Sequence, residues 1–308
     1  MEIKIIRAGM LTTVQDLGRP GRRGSGVPLG GAMDRFALRM ANLLVGNPEN
    51  AAALEMTLTG AELEFTGDGR VAVTGADCGG LEAWRPQPVQ ARTRIKFGRA
   101  KSGCRTYLAV AGGLDVPLVL GGRGTFLRAG LGGHHGRALQ AGDTLKVLAA
   151  TVGRVSDHWR IDPRLLPAYS ARPVVRVVRG AHAADFGEAW WQSEFTVAAQ
   201  SDRMGIRLSG STLDRTRVRE LISRAVAPGT VQVPPDGQPI VLMADAQTIG
   251  GYPQVAHVIA VDLPLMAQLR PGDQVRFMEI TLAEAHRLSI AREHALALLH
   301  EGLMQKLG

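Results

Sequence analysis

Four stretches of this chain combine turn glycines with polar side chains that a plain turn does not need. The first is Thr12-Thr13-Val14-Gln15-Asp16-Leu17-Gly18-Arg19-Pro20-Gly21, continuing to Pro28-Leu29-Gly30-Gly31-Ala32-Met33-Asp34. Glycines let backbone N–H groups approach an anion, and Arg19 can pair with a carboxylate or phosphate. The same stretch also reads as a structural loop in which Asp34 caps a helix. No Gly-Lys-Ser/Thr follows, so it is not a P-loop. The second, Thr74-Gly75-Ala76-Asp77-Cys78-Gly79-Gly80, runs a strand into a tight turn where Asp77 reads first as a turn residue. The third, Gln200-Ser201-Asp202-Arg203-Met204-Gly205-Ile206-Arg207, places two Arg, an Asp and a Gln around one Gly. Arg203 and Arg207 are too far apart for one face of a strand, so at most one points into a pocket. The fourth is Ala244-Asp245-Ala246-Gln247-Thr248-Ile249-Gly250-Gly251-Tyr252-Pro253-Gln254-Val255-Ala256-His257. Its polar residues crowd a Gly-Gly turn after an apolar strand, and strand ends commonly carry ligand loops. This stretch is the favoured site.

Other chemistry is poorly supplied. Cys78 and Cys104 are well separated, which gives neither zinc spacing nor a disulfide framework, and both read as small reduced core residues. His134-His135 lacks further ligand spacing, so no metal site is expected. There is no Gly-x-Ser-x-Gly elbow, no His-Glu-x-x-His and no Rossmann fingerprint. The formal net charge of +8 favours anionic partners, but the Arg excess is scattered and aromatic residues make up only 5%. Without basic blocks or stacking platforms, small anions fit better than nucleic acid. The N-terminus is too charged for a signal peptide, and no run approaches the ~18 apolar residues of a membrane span. A cytoplasmic chain with no membrane partner is expected.

The elements that must position these stretches are mostly strands. The 38 glycines fall in short clusters between apolar runs, as a chain of short strands and tight turns requires. Residues 2–7 alternate like a strand, and 12–31 reads as turn-rich. Asp34 then caps a helix over 35–44, with Phe36, Met40, Leu43 and Leu44 on one face and Gly46-Asn47-Pro48 ending it. Strand-like pieces follow at 53–57, 61–65, 71–74, 93–97 and 105–111. A Gly-Asp turn leads into a strand at 141–147 and again at 271–277, a hint of two related halves. Residues 151–173, with Pro163, Pro167 and Pro173, read as a linker between domains 1–150 and 174–308. The second half resumes with strands at 174–178, 194–198, 205–208, 229–233 and 240–244, and a short helix at 183–191. Thr281 and Glu284 form a capping box for a C-terminal amphipathic helix, its face built by Ala285, Leu288, Leu296, Leu299 and Leu303.

Taken together, TTVQDLGRPGRRGSGVPLGGAMDRFALRMANLLVGNPENAAALE (12–55), SGCRTYLAVAGGLDVPLVLGGRGTFLRAGLGG (102–133), SDRMGIRLSG (201–210) and GQPIVLMADAQTIGGYPQVAHVIAVDLPLMAQLRPGDQVRF (237–277) resemble the allophanate hydrolase subunit 2 family. That family is also called KipA-like, and its members serve as the C subunit of 5-oxoprolinase. The resemblance implies a mainly β fold of tandem cyclophilin-like β-barrel domains with a few helices. It implies two partners, a KipI-like subunit (allophanate hydrolase subunit 1 family) and a LamB/YcsF-like subunit. With them the family converts 5-oxoproline to glutamate using ATP, the two Kip-like subunits phosphorylating the lactam. ATP and Mg²⁺ are therefore implied, although the chain carries no dedicated motif for either.

A lactam carbonyl is a poor electrophile, and O-phosphorylation makes its carbon attackable. A site for that step holds a carboxylate and phosphates by positioning and electrostatics. On this footing Arg19 and Arg203 are the anion-binding candidates. Asp245 and Asp16 are candidates for metal or substrate N–H contact. Gln15, Gln247, Thr248 and Tyr252 are candidates to fix the amide, with Asp245, Asp16 and Gln247 taken as catalytic. Two other functions fit the same family: a biotin-dependent carboxyltransferase acting on urea or a related amide, and a non-enzymatic regulator that binds a KipI-like kinase inhibitor. The chain has no Met-Lys-Met biotinyl site of its own.

Overall fold

A computed structural model describes residues 1–150, 160–187, 190–191, 193–216 and 221–307. The chain divides into two compact units. Unit 1 is Met1–Pro20, Gly30–Leu166 and Leu296–Gly308, and unit 2 is Gly21–Leu29 and Pro167–Ala295. Of the expected linker, residues 151–159 lie outside the described residues.

Among the described residues, nine strands build unit 1: β1 (Glu2–Arg7), β2 (Leu11–Gln15), β3 (Ala53–Thr57), β4 (Glu62–Phe65), β5 (Gly69–Gly75), β6 (Pro86–Val89), β7 (Arg94–Lys96), β8 (Arg105–Val110) and β9 (Thr144–Lys146). They form a four-stranded sheet in the order β7-β4-β1-β9 and a five-stranded sheet in the order β2-β3-β8-β5-β6. Alternation decides which side chains meet. Ile3, Ile5, Leu63 and Phe65 of the first sheet share one core with Val14, Leu54, Met56, Val73 and Leu108 of the second. Each such buried side chain contributes about 1.5–3 kcal/mol. The opposite face of the five-stranded sheet presents Ala53, Ala72, Tyr107 and Ala109. Its alanines admit helix α1 (Arg35–Leu44) with its Phe36, Met40, Leu43 and Leu44. Asp34 caps that helix, its Oδ1 accepting from the Ala37 N–H at 2.9 Å. β2 is a correction to the turn-rich reading of 12–31. Thr12, Thr13, Val14 and Gln15 are buried and pair antiparallel with β3, because β-branched residues suit a strand whatever glycines follow.

Unit 2 closes a seven-stranded barrel in the order β10-β17-β14-β15-β12-β11-β18, with a separate β13-β16 ribbon. The strands are β10 (Val174–Arg179), β11 (Glu194–Val197), β12 (Gly205–Ser209), β13 (Arg224–Ala225), β14 (Thr230–Gln232), β15 (Ile240–Leu242), β16 (Ile249–Gly250), β17 (Gln254–Val258) and β18 (Gln274–Glu279). Closure leaves no unpaired edge in the barrel. β17 occupies part of the fourth polar stretch, starting just after Pro253, and Gln254, Val255 and Ala256 are buried there. The helix expected over 183–191 is a 3-10 turn at Ala183–Asp185, after which Phe186 bridges Arg215, and residues 188–189 lie outside the described residues. A short helix α2 (Leu263–Ala267), which no sequence pattern announced, precedes β18.

The final helix, α3 (Leu282–Leu307), begins with the Thr281 hydroxyl accepting from the Glu284 N–H at 3.1 Å. Its apolar side is buried only late: Leu296 and Leu303 join the α1 core with Leu299 half-buried beside them, whereas Leu288 and Ala285 stay half-exposed. The two Gly-Asp turns are built alike. Gly142 and Gly272 have φ of +93° and +91°. Asp143 accepts from the Gln140 N–H at 2.8 Å, and Asp273 from the Arg270 N–H at 2.9 Å.

Candidate functional site

In unit 1 the first polar stretch meets the second glycine-dense stretch, residues 121–136. Gln15 and Asp16 stand at the end of β2. The Asp16 carboxylate accepts three backbone N–H groups, from Gly18 at 2.8 Å, Gly124 at 3.1 Å and Arg123 at 2.5 Å. Arg19 is 1% exposed and donates to the carbonyls of Val119 at 3.0 Å and Gly124 at 2.6 Å. Asp16 and Arg19 therefore fasten the 119–125 loop by its own backbone. The approach is too close for a side chain at Gly124, where a Cβ would stand 2.7 Å from Gln15 Oε1 and 2.9 Å from Asp16 Oδ1. Gln15 is fully buried. Its Nε2 donates to Thr13 Oγ1 at 3.0 Å and to the Thr125 carbonyl at 3.1 Å. Its Oε1 has no hydrogen-bond partner among the described residues, an acceptor left open at this loop.

A second cluster lies on the α1 face of the same sheet, and no motif in the sequence marked it. Glu55, 1% exposed, accepts from the Tyr107 hydroxyl at 2.7 Å and from the Met33 N–H at 2.9 Å, while the Tyr107 oxygen accepts from the Asp34 N–H at 2.8 Å. Burial, with the nearby negative charges of Glu55 and Asp34, holds the Tyr107 phenol well above its ordinary range, so it stays a neutral donor. The available signal was a charge inside the apolar strand Ala-Leu-Glu-Met-Thr, since a carboxylate enters a core only with partners. Cys78 is buried too, and burial pushes its thiol up, away from the thiolate a nucleophile requires.

In unit 2 the third and fourth stretches come together. Arg203 and Asp245 form a forked ion pair, Nε to Oδ2 at 2.8 Å and Nη2 to Oδ1 at 3.1 Å, with side chains 7% and 5% exposed. Backbone bonds from Asp245 N to Arg203 O and from Met243 N to Met204 O zip the two segments side by side. Arg207, on β12, is exposed, whereas Arg203 lies in the bend before that strand and is buried, so one arginine of the two points inward. Gln247 and Thr248 are half-buried in the turn after β15, and Tyr252 is 47% exposed. The buried Gln232 links two of them: its Nε2 donates to the Tyr252 carbonyl at 3.4 Å, and its Oε1 lies 3.5 Å from Gln247 Nε2. Both contacts are long and leave these carboxamides able to turn to another amide. Behind them His182 Nδ1 accepts from the Gln254 N–H at 3.0 Å, and His257 Nδ1 lies 3.2 Å from Thr230 Oγ1. Burial holds the His257 ring below its ordinary pKa, favouring the neutral imidazole.

Tyr252, Gly251 and Pro253 also line a cleft of about 460 Å³, with Phe186, Leu213 and Val233 among its apolar walls and Thr212, Asp214 and Arg215 as polar groups. The volume suits a small molecule, and apolar walls with a few polar groups are the usual make-up of such sites. Arg215 is partnered there by Asp185 at 3.1 Å. Unit 1 thus gathers Gln15, Asp16 and Arg19, while unit 2 gathers Arg203 with Asp245 and Gln247 with Tyr252. Thr248 follows Gln247 in the chain, and its carbonyl accepts from Val226 N, just after β13, at 3.0 Å. Among the described residues no three His, Cys, Asp or Glu side chains are grouped to hold a metal ion, and no helix is long and apolar enough to cross a membrane.

Residues 25–279 match the family described as the carboxyltransferase domain, subdomain A and B. The chain is 45% identical over 296 residues to the C subunit of 5-oxoprolinase from Escherichia coli K12, covering 92% of this chain and 93% of that protein. It is 42% identical to the protein of the same name in Haemophilus influenzae, covering 93% and 94%. Among solved structures, the Kluyveromyces lactis urea carboxylase superposes with a TM-score of 0.89 at 28% identity, over 98% of this chain and 29% of that one.

Proposed function

The chain belongs to the carboxyltransferase domain family, subdomains A and B, and from that premise we propose that it is the C subunit of a 5-oxoprolinase. The observation that carries this reading is identity of 45% spread over nearly the full length of both proteins. The matched span takes in both units of the chain. The reaction opens a lactam to glutamate. Transfer of the ATP γ-phosphoryl group to the lactam oxygen releases ADP and activates the carbon, water adds there, and the ring C–N bond breaks to free the amine. A second water hydrolyses the resulting acyl phosphate to glutamate and phosphate. In this proposal the enzyme also contains two further chains, one KipI-like and one LamB/YcsF-like.

The described residues do not by themselves fit Mg²⁺, since no acidic or histidine cluster is present among them. A magnesium nucleotide would take its ligands from phosphates, water and the other chains, and no step is assigned to it on this chain. What this chain supplies is positioning. Gln247, with the buried Gln232 behind it, presents a carboxamide that can pair with the lactam amide, and Thr248 and Tyr252 border the same turn. Arg203 and Asp245 hold that turn against the loop before β12, and Asp16 and Arg19 do the same for the glycine loop of unit 1. Gln15 Oε1 is the acceptor offered to a donor N–H.

The test is co-expression with the KipI-like and LamB/YcsF-like subunits and an assay of glutamate formed from 5-oxoproline with ATP. Turnover that needs all three chains and ATP supports the proposal. A stable complex without turnover overturns it in favour of the regulator. The structural likeness to urea carboxylase gives a second reading, and carboxylation of urea in the presence of a carboxybiotin carrier would establish it instead. At the site, Gln247→Leu and Tyr252→Ala should each lower kcat/KM by about tenfold or more without lowering Tm, the size expected for a lost substrate hydrogen bond.

A further inference from the structure

We propose that the buried Gln232 is a positioning residue: it fixes which end of the Gln247 carboxamide is turned to the substrate, and so makes the site select a ring N–H. The inference deepens the 5-oxoprolinase reading and rests on it. Gln232, on β14, is 1% exposed. Its Nε2 donates to the Tyr252 carbonyl at 3.4 Å, and its Oε1 accepts from Gln247 Nε2 at 3.5 Å. One carboxamide thus spans the two ends of the turn 247–252. It does so across Gly250, where a Cβ would stand 2.7 Å from Gln232 Nε2.

A carboxamide has a donor end and an acceptor end, and its two orientations have nearly the same shape. A backbone carbonyl has no such freedom, since it only accepts. The Tyr252 carbonyl therefore sets Gln232 with its NH₂ group toward residue 252 and its oxygen toward residue 247. That oxygen in turn takes only the NH₂ end of Gln247. Reversing either amide would set oxygen against oxygen at one of the two contacts. Both contacts are long, so Gln247 can swing toward a ligand, but the polarity passes along the row unchanged. What Gln247 turns away from Gln232 is its Oε1, to which nothing donates among the described residues. An open acceptor there pairs with a lactam N–H and repels a ring oxygen standing in its place. The fixed direction of one peptide carbonyl thus becomes a preference for a lactam over a lactone.

The test uses the three-chain complex and two ligands that differ at one ring position: 5-oxoproline as substrate, and as competitive inhibitor the lactone in which oxygen replaces the ring N–H. In wild type the lactone Ki should exceed the lactam KM by about a hundredfold or more. Gln232→Leu frees Gln247 to reverse and offer its NH₂ group to the ring oxygen, so the ratio of Ki to KM should fall by about tenfold. Gly250→Ala should act in the same direction. Its Cβ meets the end of the Gln232 side chain first, and its φ lies outside the left-handed region, so Tm should be unchanged. A loss of packing alone would lower kcat and leave the ratio where it was. The proposal is overturned if the wild-type complex turns over 5-oxoproline yet binds the lactone as tightly, or if both variants keep the wild-type ratio. A wild-type complex without turnover overturns the 5-oxoprolinase reading and this inference with it, a result distinct from either.

Discussion

The two units use the same residue types at their glycine loops and connect them differently. In unit 1, Asp16 and Arg19 bond to backbone: three N–H groups on the carboxylate, two carbonyls on the guanidinium. In unit 2, Arg203 and Asp245 bond to each other. A charge that satisfies backbone is irreplaceable by a hydrophobic residue, because the peptide groups it served remain buried and orphaned. A charge that satisfies another charge can be removed together with its partner. The first arrangement fixes the path of a loop, whereas the second clamps two segments and leaves the amides beyond them free to vary.

That contrast is open to direct attack. Asp16→Ala should cost about 3–5 kcal/mol in urea denaturation, since two buried donors and one part-buried donor lose their acceptor, and adding Arg19→Met should recover none of it. Arg203→Ala should cost about 3–4 kcal/mol by leaving Asp245 buried and unpaired, yet Arg203→Met with Asp245→Leu should return to within about 1 kcal/mol of wild type. Rescue of the first pair, or failure to rescue the second, would erase the distinction.

Smaller effects sharpen it. Gly132 has φ of +69°, and a Cβ there would run into the Gly124 carbonyl that Arg19 holds. Gly132→Ala should therefore cost about 2–3 kcal/mol. Gly130→Ala, at φ of +63° with open space around it, should cost only about 1 kcal/mol, the strain of a left-handed residue. Comparison of the two melts separates loop packing from backbone conformation. The smallest effect belongs to His257. Its pKa is lowered by burial, so the unfolded chain binds a proton more readily and stability rises with pH up to about 6.5, then levels. His257→Gln should flatten the stability profile below that pH and leave it unchanged above.

Much of the fold was readable beforehand because it follows local chemistry. The Asp34 cap, the α1 face of Phe36, Met40, Leu43 and Leu44, and the strands at β1, β3 and β8 depend on periodicity and turn residues within a few positions. β2 and β17 were hidden by neighbouring glycines and prolines, whose turn signals overrode the β-branched and apolar residues beside them. The Glu55–Tyr107 pair spans 52 positions, and no local pattern announces which carboxylate meets which phenol.

The sequence by itself determined the mainly β character, the glycine loops, the absence of nucleophile and zinc motifs, and the family, since all of these are properties of residues near one another in the chain. Only the tertiary structure decided what the polar residues do. Asp16 meets residues 123–124 across more than a hundred positions, and Arg203 meets Asp245 across 42. The physical reason is that a buried charge must find its partner wherever the fold brings one within hydrogen-bond reach.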